Sequence, residues 1–408
     1  MSASDAPATA SPAAAEPRTP AARVALVIAC GIVIALNIGK IPPALPILRD
    51  ELMLGLIAAG VVVAALNAIG ALTGAGAGIL VDQWGARRLL SIALLSAAAG
   101  NALGALAPSA ALLVAGRLLE GLAFILVLSA APVLLSRLAA PRDRGLVMGF
   151  WATFLPVGST IAILAAPTIL TDLGWRPLWW MLAALSLAAF AAFWAREARA
   201  IQPAGHADAR FADVLAVARH PPVLFLGLAF ASFSFTFIST MSFLPLWLVE
   251  TGGYGVRAST AAVLALAVGN ALGNVGGGAL LRRGVPAWAL IAVSSVSMAA
   301  LVGILFIEGP PLSARIAVGG ALGFISGWVP VSVFASAGPL APRPELAGAA
   351  TGCVVQILNI GTLAGPLVVS AAVAATGTWA TASAVLVASS LVCLGAAFAI
   401  RKDVIALT

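Results

Sequence analysis

Few ionisable side chains in this chain fall inside apolar runs, and those few are the ones whose chemistry would matter most. The segment Gly116-Arg117-Leu118-Leu119-Glu120-Gly121 puts an arginine and a carboxylate three residues apart. On an α-helix that spacing sets both on one face, where they can pair. Lys40 follows Asn37 at the same spacing, just ahead of Pro42, Pro43 and Pro46, which interrupt a helix. Charge in a hydrocarbon environment is costly and marks ion or substrate handling. Glu120 is the only carboxylate well inside an apolar run, and neither His206 nor His220 lies in one. If protons are moved, Glu120 is the candidate carrier, releasing and recapturing one as its pairing with Arg117 changes. Two readings of Lys40 stand. Its stem carries the ammonium out to the interface, or the ammonium faces an internal cavity. In the second case Lys40 and Arg117 exceed Glu120 by one positive charge, which favours an anionic partner.

The second half of the chain offers neutral groups. Asn270 and Asn274 are one helical turn apart, and Gln356 and Asn359 share a face. Together with Asn37, Lys40, Arg117 and Glu120 they form the candidate substrate or coupling set. The stretch Ser232-Phe233-Ser234-Phe235-Thr236-Phe237 alternates hydroxyls with rings. In a helix this alternation spreads the rings all round, so some are expected to face lipid. Trp151 and Trp328 are candidates for cavity walls.

The elements that must position these groups are membrane helices. Of 408 residues, 62% are hydrophobic and 9% charged, with a mean hydropathy of +1.08. Soluble domains are about a quarter charged. A spanning helix needs about 20 apolar residues, and twelve such runs are found: 24–46, 54–80, 89–107, 110–135, 145–170, 174–195, 222–249, 258–281, 286–307, 313–337, 346–374 and 379–400. With the N-terminus inside, sixteen of the 22 Lys and Arg residues fall on the cytoplasmic side. Arg49, Arg176, Arg257 and Arg315 fall outside, and Lys40 and Arg117 lie within spans. This asymmetry orients the chain with both termini cytoplasmic in a bacterial inner membrane. It also accounts for the pI near 10.6 without a nucleic-acid partner. The expected organisation is a disordered tail over 1–22, a six-helix bundle over 23–195, a cytoplasmic linker over 196–221 and a second six-helix bundle over 222–402. The halves repeat at an offset of about 200, seen in Gly70, Gly74 and Gly78 against Gly269, Gly273 and Gly277. Related halves are a common plan for secondary transporters.

Between the second and third spans the chain reads Gly78-Ile-Leu-Val-Asp82-Gln-Trp-Gly85-Ala-Arg87-Arg88. This resembles the loop signature of the major facilitator superfamily. The resemblance implies an all-α membrane protein of twelve transmembrane helices in two pseudo-symmetric bundles. It implies a gate built on Gly78, Asp82, Gly85, Arg87 and Arg88. It also implies that span 2 slides on span 11 and span 5 on span 8, along glycine faces borne by all four: Gly70, Gly74 and Gly78; Gly348 and Gly352; Gly145 and Gly149; and Gly269, Gly273 and Gly277. Asp82 would latch the positive N-terminal end of span 11, with Gly85 permitting a tight turn. The equivalent stretch Gly278 to Gly284 keeps Arg282 and Arg283 but has no acid. Arg117 followed four on by Gly121 resembles the superfamily's span-4 motif, linked there to proton coupling. Within the superfamily, Ala35-Leu36-Asn37, Met148-Gly149-Phe150-Trp151 and the tryptophans from Trp175 to Trp180 resemble the cyanate permease family, which moves small anions.

Enzyme chemistry is not indicated. Lys40 and Lys402 are the only lysines, and neither lies in a phosphate-binding glycine loop. Cys30, Cys353 and Cys393 sit in apolar runs without metal or redox spacing. No cofactor or metal is expected. The resulting expectation is a secondary transporter working by alternating access, monomeric, surrounded by lipid, moving a small or organic anion with protons as the candidate coupling ion. The alternative is an efflux antiporter for drugs or toxic compounds, suggested by the rings of span 7. A sensor that moves nothing would need a docking domain, and 196–221 is too short for one.

Overall fold

The computed structural model describes residues 19–73, 84–140, 143, 147–148, 150–151, 153–197 and 216–405. Helices α1 (Ala21–Gly39) and α2 (Ile41–Glu51) together make the first crossing. They are separated at Lys40 because Pro42 and Pro43 carry no N–H for the carbonyls one turn back. Both prolines fall in the first turn of α2, where a missing donor costs nothing. The first half continues with α3 (Leu56–Thr73), α4 (Ala86–Ala105), α5 (Ala110–Leu138), α6 (Phe154–Asp172) and α7 (Trp175–Glu197). The second half comprises α8 (Pro221–Glu250), α9 (Val256–Arg282), α10 (Ala287–Leu305), α11 (Leu312–Ser326), α12 (Trp328–Ala337), α13 (Ala347–Thr376), α14 (Ala380–Ala399) and the short α15 (Arg401–Ile405). α11 and α12 form one crossing, bent at Gly327. Among the described residues twelve helical segments are long and apolar enough to cross a membrane. No strand occurs among them.

The halves keep register at an offset of about 200: Ala21 and Pro221, Leu56 and Val256, and Ala86 and Ala287 open corresponding helices. The two turn glycines also correspond. Gly85 and Gly284 both adopt left-handed backbone, with φ of +79° and +84°, a conformation that glycine enters without strain.

Close helix approach uses glycine, but not everywhere as expected. Gly269, Gly273 and Gly277 of α9 pack within the second half against α11 and α12, not against α6. A β-carbon at Gly273 would collide with the Phe324 carbonyl, and one at Gly277 would meet Val331 and Trp328. The glycine stripe on α9 is therefore an intra-bundle seam, which corrects the sliding role expected for it. Between halves, α3 lies along α13. There Gly60 rests on Ser370 and Pro366, and Gly70 on Asn359. At Gly348 and Gly352 a β-carbon would meet nothing within 4 Å among the described residues. Gly74, Gly78, Gly145 and Gly149 lie outside the described residues, as do most of the tail and linker.

The rings of α8 also depart from expectation. None of Phe230, Phe233, Phe235 and Phe237 is exposed. Phe230, Phe233 and Phe237 stack along the helix at centroid separations of 6.0 and 5.5 Å, and Phe334 of α12 meets Phe230 edge-on at 5.4 Å. The hydroxyl positions turn to α13 and α14: Ser234 bonds Thr362, and Ser389 donates to the Ser232 carbonyl at 3.0 Å. From Phe230 to Leu248 this helix is enclosed by its neighbours, while Leu224, Phe225 and Leu228 nearer its start are exposed.

At the end of the molecule remote from the termini, two ion pairs join the halves. Arg49 at the end of α2 pairs with Glu250 at the end of α8. Arg257 of α9 pairs with Asp172 of α6 at 2.9 Å. Arg315 lies at the same end but is buried. It donates to the carbonyls of Leu305 at 2.7 Å, Ile307 at 2.7 Å and Pro310 at 3.1 Å, closing the C-terminal end of α10.

Gly273→Val should force α9 from α11 and lower the unfolding temperature in detergent by several degrees, reflecting an overpacking cost of about 1–3 kcal/mol. Gly348→Val should leave it unchanged. Equal behaviour of the two variants in a tryptophan-fluorescence melt would contradict the seam.

Candidate functional site

Lys40, placed at the break between α1 and α2, points into the first half and is fully buried. Groups from α4, α5 and α7 surround its ammonium, together with Asn37 one turn back on α1. Its Nζ donates to Glu120 Oε1 at 2.6 Å, to Asn101 Oδ1 at 2.6 Å and to Asn37 Oδ1 at 3.0 Å. These are three acceptors for the three protons of an ammonium. The Trp179 ring lies beneath it, 4.3 Å from Nζ to centroid, a favourable position for a desolvated cation. Lys40 thus neither reaches the interface nor stands in an open cavity.

Arg117 completes the cluster. Its Nη1 donates to Glu120 Oε2 at 2.5 Å and to the Asn37 carbonyl at 2.8 Å, and its Nε to the Val62 carbonyl at 3.3 Å. Asn101 donates from Nδ2 to Asn37 Oδ1 at 2.9 Å and to the Ala97 carbonyl at 2.8 Å. The network therefore links α1, α3, α4 and α5. Glycines make room for it: Gly100 and Gly116 bring α4 and α5 together beside Glu120, and Gly121 seats α5 on the Leu66 carbonyl of α3.

Two cations and one anion sit here with at most 3% side-chain exposure. Removing ions from water costs several kcal/mol each, offset only when pairing is close and the remaining polar groups are bonded. Every charged group in the triad meets that condition, yet one positive charge remains in excess. The pairing of Arg117 with Glu120 read from their spacing is present. Asn101 and Trp179 were missed. Asn101 is signalled in sequence as an amide within an otherwise apolar span, and Trp179 belongs to the tryptophan run noted for a different reason.

The other candidate residues do not join this cluster. Asn270 donates to Ser326 Oγ at 3.3 Å, and Asn274 to the Asn270 carbonyl at 2.8 Å, both on the α9–α11 seam. Gln356 donates to the Ala71 carbonyl across the α3–α13 contact between halves. Asn359 lies one turn on, against Gly70; its Nδ2 is buried and has no partner among the described residues. Trp151 stacks on Phe154 at 4.1 Å, against Gly31 of α1, so it is core of the first half rather than cavity wall. Trp328 packs edge-on to Phe324 at 6.0 Å. Of the gate residues, Gly85 caps α4, Arg87 is half-buried and Arg88 lies over Trp84 at 5.7 Å. Gly78 and Asp82 lie outside the described residues.

The fold is that of a helical membrane protein with two related halves and a sealed charge cluster in one of them. A family profile for the Major Facilitator Superfamily matches residues 27–366, and the chain belongs to that superfamily. A mutant form of the nucleoside transporter NupG superposes with a TM-score of 0.78 over 93% of this chain and 99% of its own, at 15% identity, which is a likeness of fold. Sequence relatives are more local. The galactose-proton symporter of Escherichia coli K12 is 29% identical over 159 residues, 39% of this chain and 34% of its own. Glucose transporter GlcP of Staphylococcus epidermidis is 33% identical over 37% of this chain and 33% of its own. A probable 4-methylmuconolactone transporter of Cupriavidus pinatubonensis is 30% identical over 30% and 28%. The chain spans about a third of the length of the curated relatives it matches.

Glu120→Gln should destabilise the protein by about 3–5 kcal/mol, because it leaves two buried cations without an anion. Lys40→Met should cost less, because it leaves the neutral Arg117–Glu120 pair. Thermal melts in detergent that rank the two variants the other way would refute this charge balance.

Proposed function

We propose that this protein is a secondary transporter working by alternating access, moving a small organic anion in exchange for, or together with, protons. The observation that carries the reading is the single excess positive charge sealed beside Glu120. At an effective dielectric of about 20, an anion about 8 Å from that charge gains about 2 kcal/mol, a preference that a neutral solute would not feel. The triad lies inside the first half, so it acts on cargo through its field and through movement of α1 and α5 rather than as an open binding surface. On the facing half, Asn359 holds a buried amide with no partner among the described residues, at the α3–α13 contact that must part before cargo could reach it.

Alternating access finds support in the two ion pairs at the end remote from the termini. These pairs clasp the halves at one end, and breaking them is the step by which that end would open. The bias of Lys and Arg supports the opposite end, which carries the termini, as cytoplasmic, and a bacterial inner membrane as the location. The proposed unit is one chain.

A second reading, a neutral sugar carried with protons, is favoured by the stretches shared with the galactose-proton symporter and GlcP. Drug efflux loses its support, since the rings of α8 that suggested it stack within the second half.

Proteoliposomes should take up at least one of cyanate, lactate and benzoate saturably, and faster under a pH gradient. Glu120→Gln and Lys40→Ala should each slow this by about tenfold or more, equivalent to about 1.4 kcal/mol. Uptake of galactose or glucose with none of the anions would transfer the proposal to sugars, and unchanged rates in both variants would remove the triad from the mechanism. The closure has its own check. Arg49→Glu should widen the distance between spin labels at Met53 and Gly252, and adding Glu250→Arg should restore it.

A further inference from the structure

Resting on the proton-coupled reading above, we infer that the exchanged proton is carried by the Lys40 ammonium and not by the Glu120 carboxyl. The charged groups that face Lys40 are few. Arg117 and Glu120 come from α5, while α1, α4 and α7 contribute the neutral Asn37, Asn101 and Trp179, and α3 contributes the Val62 carbonyl to Arg117. Two single-proton steps are open to this cluster, because a guanidinium keeps its proton in proteins. A proton added to Glu120 leaves two cations in a sealed site with no anion between them. A proton lost from Lys40 leaves an Arg117–Glu120 ion pair and a neutral amine, with no net charge. Only the second step reduces the buried charge, and unpaired buried charge is the costliest feature such a site can hold.

The step also has a structural output. The N–H bond breaks with its electron pair retained on Nζ, and the proton passes to water admitted as the halves move. The amine then has two N–H donors where the ammonium had three. One of its present acceptors, Glu120 on α5, Asn101 on α4 or Asn37 on α1, must give up its bond. Meanwhile the ring face of Trp179, which lies against the ammonium, loses the cation it held. A change of one proton is thereby converted into a change in how α1, α4 and α5 are tied. In this step Glu120 serves to position both cations.

The chain contains only two lysines, Lys40 and Lys402, which makes the inference directly readable. Full-length Lys402→Arg protein in lipid nanodiscs, labelled with lysine carrying ¹³Cε and ¹⁵Nζ, gives a single lysine signal. That signal should change reversibly between ammonium and amine across about pH 5 to 9, a range in which an ordinary lysine stays an ammonium. The Lys402 signal of the unsubstituted chain should stay that of an ammonium. A Lys40 signal that remains an ammonium across the whole range would overturn the inference. No cargo is needed for this measurement, so it succeeds or fails separately from the uptake experiment that tests the transporter reading.

Discussion

Lys40, Arg117 and Glu120 are charged groups placed out of reach of solvent, and the arrangement around Glu120 follows from that. A carboxylate in hydrocarbon needs cations at contact distance, and the cations need acceptors for their remaining protons. Arg117 and Lys40 supply the first, while Asn37, Asn101 and two main-chain carbonyls supply the second. Because those partners come from α1, α3, α4 and α5, satisfying one side chain fixes the mutual position of most of the first half. The glycines at 100, 116 and 121 are needed because the polar groups are short and the helices must come close. Here packing and electrostatics are one constraint.

The second half is held differently. Several of its buried hydroxyls and amides bond to neighbouring carbonyls or to one another, and even the buried Arg315 is answered by three carbonyls. Its α9–α11 seam is a glycine contact in which carbonyl oxygens of one helix occupy the space where β-carbons of the other would be. One half thus carries a charge network and the other close apolar and hydroxyl packing. Contact between the halves is of a third kind, made of surface ion pairs and of α3 lying on α13. Exposed or half-exposed ion pairs contribute about 0–1 kcal/mol each, a scale suited to a joint that must open.

Much of this was legible in the residues. Twelve spans, the repeat at about 200 and the pairing of Arg117 with Glu120 follow from hydropathy and helical spacing, because those depend on local sequence alone. The burial of Lys40 was not legible, since whether a lysine stem runs outward or inward depends on which helices stand beside it. The α9 glycines show the same limit: spacing tells that a helix is approached closely, not by which neighbour. For the α8 rings, the lipid-facing expectation assumed a peripheral helix, and position within a bundle is set by contacts far apart in sequence. Asn270, Asn274, Gln356 and Asn359 all read as polar marks within spans, but they separate into a seam and an interface.

Arg49 and Glu250 have one more consequence. They lie at the closing ends of the first crossings of each repeat. At the offset of 200, Glu250 has its counterpart in Asp50 and Arg49 in Val249. A second, reciprocal pair with Asp50 would need a cation at 249, where valine stands. Symmetry gives the chain its plan, and departure from symmetry here leaves a one-sided clasp.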